Sequence, residues 1–400
     1  MPTASKPHLS RAIVWLMAVA TGLAVASNYY AQPLLHTIAQ EYGLSNAAAG
    51  AIVTVAQLSY AFGLIFLVPL GDMFERRSLI VSMTLLSSLG LLITAFLPGI
   101  TPIFIGTAVT GTLSVVAQVL VPFGASLASE EERGKVLGTI MSGLLMGILL
   151  ARTVSGALAD LGGWRTVYWV AAILMTLCAG LLWRILPRYR VPTRLSYPQL
   201  LASVVRLFPE EPLFRARALI GGLTFATFSV LWTSLTFLLA SPPFNYANTT
   251  IGLFGLAGAA GALAASRFGA LADRGHGNRS TVIALAVLAL SWIPLALGQH
   301  SVAALIVGIV CLDLVVQGVH VTNQSAIYRL RPEARSRLAS GYMTAYFAGG
   351  ASGSVASAAV YSYAGWIGVS LLGGALSLLA LLYSVLAPNA RIPQKAAAPR

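Results

Sequence analysis

The sequence predicts an all-α integral membrane fold, with twelve transmembrane helices arranged as two six-helix pseudo-repeats. Three observations predict it. Charged residues make up 9% of the chain and hydrophobic residues 57%, whereas a soluble domain carries about a quarter charged residues, so no soluble surface can be built from this composition. Twelve apolar runs follow one another along the chain, each near the roughly 20 residues that cross a bilayer core. Residues 133–164 recur at 335–366 without a gap: Arg133 falls on Arg335, Lys135 on Arg337, Gly147 on Gly349 and Trp164 on Trp366, an offset of 202. That offset is about half the chain, the mark of two fused copies of one unit.

In order, spans 1 to 6 occupy about 12–35, 47–70, 78–97, 101–128, 134–159 and 164–187. Spans 7 to 12 occupy about 216–240, 249–271, 280–298, 301–328, 336–361 and 366–387. Span 1 carries Ala24-Val25-Ala26, which has the form of a signal-peptide cleavage site. Its apolar run continues to Leu35, so it reads as a retained helix. The one long connection is the seam between halves, giving an N-terminal half 1–187, a cytoplasmic linker 188–215 and a C-terminal half 216–400 with a short cytoplasmic tail. The linker holds Arg188, Arg190, Arg194 and Arg206, broken by prolines, and an amphipathic helix lying on the membrane surface is expected around 197–208.

The basic residues set the orientation. With the N-terminus in the cytoplasm, all 25 Lys and Arg except Arg152 and Arg165 fall on the cytoplasmic side. Both termini are therefore expected inside, in a plasma membrane. This distribution also accounts for the net charge of +13 without nucleic acid, because the basic residues lie between apolar runs and form no groove. Cys178 and Cys311 both sit within apolar runs, so neither a disulfide framework nor a metal site is expected. Trp164 and Trp366, at equivalent outer ends, read as interfacial anchors. Asn248-Thr249-Thr250 is a formal glycosylation sequon that reads as chance.

Two loops carry a shared motif. After span 2 the chain reads LGDMFERRS, with Asp72, Glu75, Arg76 and Arg77; after span 8 it reads GALADRGHGNRS, with Gly269, Asp273, Arg274, Gly277 and Arg279. With this topology the chain resembles the major facilitator superfamily, whose corresponding loop reads G-x-L-A-D-R-x-G-R-K. The first copy departs from it, with Val68 at the leading Gly position and Glu75 at a later one. The resemblance implies a latch between halves that breaks during transport, made here by Asp72, Arg76, Arg77, Asp273 and Arg274. A topology-setting charged turn is the simpler alternative. Span 5 partly matches the drug–proton antiporters of that superfamily: Gly138, Gly147 and Ser155-Gly156 keep the spacing of small residues, but Ala151-Arg152 replaces the usual Gly-Pro.

Asp313 is the one acidic residue in mid-span, and Arg152 is the comparably deep basic one. A charge at a bilayer centre costs at least about 2.5–3.5 kcal/mol, so each must face a cavity or a partner. Gln317, His320 and Gln324 follow Asp313 at +4, +7 and +11, which places the four on one helix face. Span 1 carries Thr21, Asn28 and Gln32 on one face, with Tyr29 and Tyr30 nearby; span 7 carries Ser229, Thr233 and Thr236 beside Trp232; span 4 offers Gln118. The resemblance implies that spans 1, 4, 7 and 10 line a central cavity, and the polar stripes fall on those four.

A carboxylic acid in low-dielectric surroundings holds its proton, and an approaching guanidinium releases it. If Arg152 nears Asp313 in one state and leaves it in another, Asp313 loads and releases a proton, with His320 as relay. A static ion pair, or direct binding of a charged solute by either residue, are the alternatives. The leading functional expectation is therefore proton-coupled export of a small organic solute, with uptake or facilitated passage of an organic anion as the alternative. The sequence carries no H-E-x-x-H, no G-x-S-x-G and no intramembrane acid pair, so an enzyme is not expected. No cofactor is expected; the expected partners are a small-molecule solute, protons and the lipid bilayer, for a monomer that binds no nucleic acid.

Overall fold

The computed structural model describes residues 10–190, 196–258, 277–331 and 334–390. Among these residues the regular structure is helical throughout, with no strand. Nine of the described helices are long and apolar enough to cross a membrane. The last of them, Ser336–Leu386, holds both span 11 and span 12. A turn is expected from sequence between 361 and 366, and the helical backbone breaks there, at Gly365, whose φ of 58° suits glycine; the break separates span 11 from span 12. Asp273, Arg274 and the 259–271 part of span 8 lie outside the described residues.

The chain divides into two compact units. Unit 1 comprises Met1–Thr37, Val55–Leu201 and Ala247–Gly252; unit 2 comprises Ile38–Thr54, Ala202–Tyr246 and Leu253–Arg400.

In unit 1, span 1 starts as Arg11–Ala26, capped by the Ser10 side chain. It loosens into turns over 27–31, tightens to a 3-10 turn at Gln32–Leu34 and resumes at Leu35–Tyr42, whose residues from Ile38 onward count with unit 2. Pro33 explains the interruption: it has no N–H to donate back, and its ring excludes a regular turn before it. Span 4 is likewise split, into Ile100–Leu113 and Val116–Leu127. There Ser114 turns its hydroxyl back onto the Thr110 carbonyl at 2.7 Å, a bond that Thr84 also makes to Ile80 in the unbroken span 3. Spans 3 (Arg76–Phe96), 5 (Arg133–Gly162) and 6 (Trp164–Ile185) are unbroken. Spans 1 and 5 meet backbone to backbone. A Cβ on Gly22 would lie 2.6 Å from the Gly143 oxygen, and one on Gly147 would strike the Gly22 backbone. Small residues permit this approach, the packing mode of helices in lipid. Leu85, Leu86 and Leu89 of span 3 and Ile173, Leu174 and Leu177 of span 6 are exposed, as a lipid-facing surface requires.

The expected linker helix is present as Tyr197–Glu210. It buries Leu200, Val204 and Leu207 on one face and leaves Val205 exposed.

Unit 2 centres on span 7, Pro212–Ala240, which is buried along most of its length. Span 7 meets span 11 as span 1 meets span 5: a Cβ on Gly222 would lie 3.0 Å from the Ala345 oxygen, and one on Gly349 would strike the Gly222 backbone. Spans 9 (Gly277–Leu297) and 10 (Val302–Ile327) complete the described part. The two tryptophans expected as interfacial anchors are instead buried. Trp366 donates its indole N–H to the Leu295 carbonyl at 2.7 Å, and Trp164 packs edge-on to Tyr168.

Candidate functional site

The polar side chains of unit 1 gather around the broken part of span 1. Arg152, 3% exposed, donates from Nε to Gln32 Oε1 at 2.6 Å, and its guanidinium carbon lies 4.9 Å from the centre of the Tyr29 ring. A neutral amide and an aromatic face thus hold a cation in mid-span, where an unsupported charge would be expelled. One turn along, Ser155 donates to the Tyr30 carbonyl at 2.7 Å. Gln118 of span 4 donates to the Tyr60 hydroxyl at 3.3 Å. Asn28 is buried at 5% exposure, and neither atom of its amide finds a partner among the described residues. Gln57 of span 2, which the stripe reasoning passed over, is the same: 1% exposed, with both amide atoms unpartnered. Its signal in the sequence is a lone glutamine in the apolar run 47–70.

The C-terminal end of span 5 is also tied down. Asn248 receives the Thr37 hydroxyl at 2.9 Å and donates to Asp160 at 2.9 Å, while the Thr249 N–H reaches Asp160 at 2.7 Å. The Asn248 side chain is therefore committed to holding helix ends together. Gly156 is small because a Cβ there would strike the Asn248 carbonyl.

In unit 2, Asp313 is 4% exposed in the middle of span 10. Trp232 of span 7 donates its indole N–H to Asp313 Oδ1 at 3.2 Å, and a Cβ on Gly258 would strike Oδ2. Gln317, His320 and Gln324 are half-buried along the same helix. His320 Nδ1 shares a hydrogen bond of 3.2 Å with the Tyr342 hydroxyl, and its ring lies 4.7 Å from that of Tyr346. Gln324 donates to the Met343 sulfur at 3.9 Å. On span 7, Thr233 donates to Ser354 at 3.1 Å, Thr236 is fully buried, and Ser229 Oγ is buried without a partner among the described residues. Phe225, Phe228 and Tyr346 stack beside them, with Phe225 4.1 Å from Tyr346 and 5.3 Å from Phe228.

At the loop after span 2, Arg76 pairs with Asp72 at 3.6 Å and bonds the Gly71 carbonyl and the Ser126 hydroxyl, each at 3.2 Å. Arg77 stacks 4.6 Å from the Trp183 ring. Glu75, at a position where the motif has glycine, caps span 3 by accepting from the Arg77 and Ser78 N–H groups. Sequence reasoning set Arg217 among the topology-setting arginines of the seam. It is 1% exposed and donates to Thr281 (3.1 Å), Asn323 (3.3 Å), Asn278 (2.9 Å) and the Ala390 carbonyl (2.5 Å).

Long apolar helices in two compact units, with buried polar groups in mid-span, make the chain a multi-pass membrane protein of the transporter class. The chain belongs to the Major Facilitator Superfamily, whose family model matches residues 17–329 and 217–400. It is 61% identical over 380 residues, covering 94% of this chain and 96% of the relative, to the "Uncharacterized transporter YgaY" of Escherichia coli O157:H7. It is 33% identical, over 92% of this chain and 86% of the relative, to the "Probable transporter SCO4007" of Streptomyces coelicolor. Its fold matches the crystal structure of a bacterial homologue of the human lysosomal transporter Spinster with a TM-score of 0.79 at 13% identity, over 99% of this chain and 100% of that one.

Proposed function

We propose that the protein is a secondary active transporter that exports a small organic solute across the plasma membrane by alternating access, driven by protons, with both termini in the cytoplasm. The observation that carries this reading is Asp313, a carboxyl buried in mid-span and oriented by the Trp232 indole. A carboxyl there is costly unless its protonation does work in the cycle, since a protonated and a charged form favour different surroundings. His320, two turns along the same helix, is the relay. Asp72, Arg76 and Arg77 serve as the cytoplasmic latch. Uptake or facilitated passage of an organic anion is the second reading, favoured by the Arg152 guanidinium that Gln32 and Tyr29 hold in place.

The test uses the full chain in proteoliposomes with an imposed pH gradient and labelled cations, anions and neutral solutes. Asp313→Asn is expected to abolish gradient-driven movement while solute exchange persists. Driven movement at the wild-type rate in that variant overturns the coupling role. Movement of anions alone, lost in Arg152→Gln, favours the second reading.

A further inference from the structure

Spans 1 and 4 are both interrupted in mid-membrane, and the interruptions meet. The Ser27 hydroxyl, at the first loosened residue of span 1, lies 2.6 Å from the Ser114 hydroxyl at the break of span 4. Irregular backbone at membrane depth is tolerated only where it is buried in protein or lines a cavity, and transporters place solute sites at such broken helices. Asn28 is the next residue after that contact. Gln57 lies three residues, one turn of span 2, from Tyr60, whose hydroxyl accepts from Gln118, one turn along span 4 from Ser114. All these residues belong to unit 1.

The two carboxamides are the exception in this layer. The serines, Tyr60 and Gln118 have protein partners, while Asn28 and Gln57 leave every side-chain polar atom unpartnered among the described residues. Buried polar groups are otherwise nearly always bonded, and an unbonded one opposes folding. Amides that fixed helix packing would bond to a neighbouring helix; these do not. Their chemistry selects the occupant. Each offers a donor pair and an acceptor and no charge, so together they match an uncharged group with both donors and acceptors. An ionised group would lose its hydration for only neutral partners.

We propose that Asn28 and Gln57 form a hydrogen-bonding subsite for an uncharged polar head of the transported solute: a hydroxyl, carboxamide or nucleobase edge. This rests on the transport reading above. A site built to bond such a head rejects analogues without it.

The experiment uses the purified full-length protein with Asn28→Leu and Gln57→Met, near-isosteric replacements without the amide. Without added solute, unfolding temperatures at or above wild type are expected, because unpaired buried polar atoms have been removed. A drop of several degrees in both variants shows a packing role and overturns the proposal. In proteoliposomes the probes are uridine, D-galactose and nicotinamide, with tetraphenylphosphonium and benzoate as charged controls. Wild type is expected to move at least one uncharged probe, and each variant to lower that movement by about 3–10-fold, the loss of a neutral hydrogen bond. Movement confined to the charged controls overturns the subsite and leaves the transport reading standing. Movement of none of the five counts against the transport reading, and the subsite falls with it.

Discussion

Ser357 donates its hydroxyl to the Val230 carbonyl at 2.6 Å. In unit 1, Ser155 does the same to the Tyr30 carbonyl at 2.7 Å. Ser155 and Ser357 stand 202 residues apart while their acceptors Tyr30 and Val230 stand 200 apart, so the repeat persists in the donor and slips by two residues on the acceptor span. Both serines are fully buried. Ser155→Ala and Ser357→Ala are each expected to lower stability by about 0.6 kcal/mol, the average for interhelical hydrogen bonds in a membrane protein. Unfolding of the two variants in detergent measures this. A loss in one variant and none in the other breaks the equivalence.

The glycine contacts of the same helix pairs should be far less tolerant. A Cβ on Gly147 would lie 2.6 Å from the Gly22 Cα, and one on Gly349 would lie 2.6 Å from the Gly222 Cα. Backbone cannot move aside as a side chain can. Gly147→Ala and Gly349→Ala are each expected to cost about 1–3 kcal/mol, the range for overpacking a tight contact. Gly138 is the internal control, since a Cβ there meets nothing within 4 Å. Gly138→Ala should be neutral or stabilising, because alanine favours a helix interior by about 1 kcal/mol. Equal unfolding temperatures for all three variants would show that helix approach does not limit stability.

The contrast between Gly138 and Gly147 also marks what the sequence can convey. The apolar runs, the repeat and the charged loop are legible because they depend on composition and spacing, which lipid enforces over whole helices. Which face of a helix meets another is not carried by spacing alone, so two glycines of one motif differ completely in surroundings. Arg217 shows the same limit. At a helix start near the seam it reads as a surface charge, and only packing reveals that spans 9 and 10 enclose it. The interruption of span 1 is legible in Pro33, whereas span 4 carries no proline at its break between Leu113 and Val116. Gln57 escaped a search for polar stripes because its polar neighbours on that face are only Thr54 and Tyr60, with no second amide or charge on the span.

Glu75 makes stability depend on pH in a defined direction. Its partial burial raises the carboxyl pKa, but the Ser78 side chain and the N–H groups of Ser78, Arg77 and Tyr189 outweigh that and hold it below the ordinary value of 4.5. A depressed carboxyl contributes stability that is fully present above the unfolded pKa and is lost as pH falls through the folded one. Glu75→Ala is therefore expected to cost about 0.5–2 kcal/mol at neutral pH, the range for losing a helix cap. The gap to wild type should close as pH is lowered from 4.5 through the folded value. Unfolding curves of both proteins at neutral and acid pH check this, and a gap that persists in acid assigns the effect to packing.

Arg217 holds the chain beyond span 12 against the rest of unit 2. Its two terminal nitrogens serve four acceptors, Thr281, Asn323, Asn278 and the Ala390 carbonyl, and no carboxylate pairs with it among the described residues. Neutral acceptors must therefore offset the whole desolvation of the cation, which they do through several charge-assisted bonds. Arg217→Ala strands those acceptors and is expected to cost about 3–5 kcal/mol, as when one member of a buried charged cluster is removed. Arg217→Lys keeps the charge but not the planar fork, so it cannot span four acceptors and should recover only part of the loss. A thiol probe at Ala390→Cys should gain solvent access in both variants, more in Arg217→Ala. Full stability of Arg217→Lys would mean that charge alone, and not the geometry of the fork, ties this segment down.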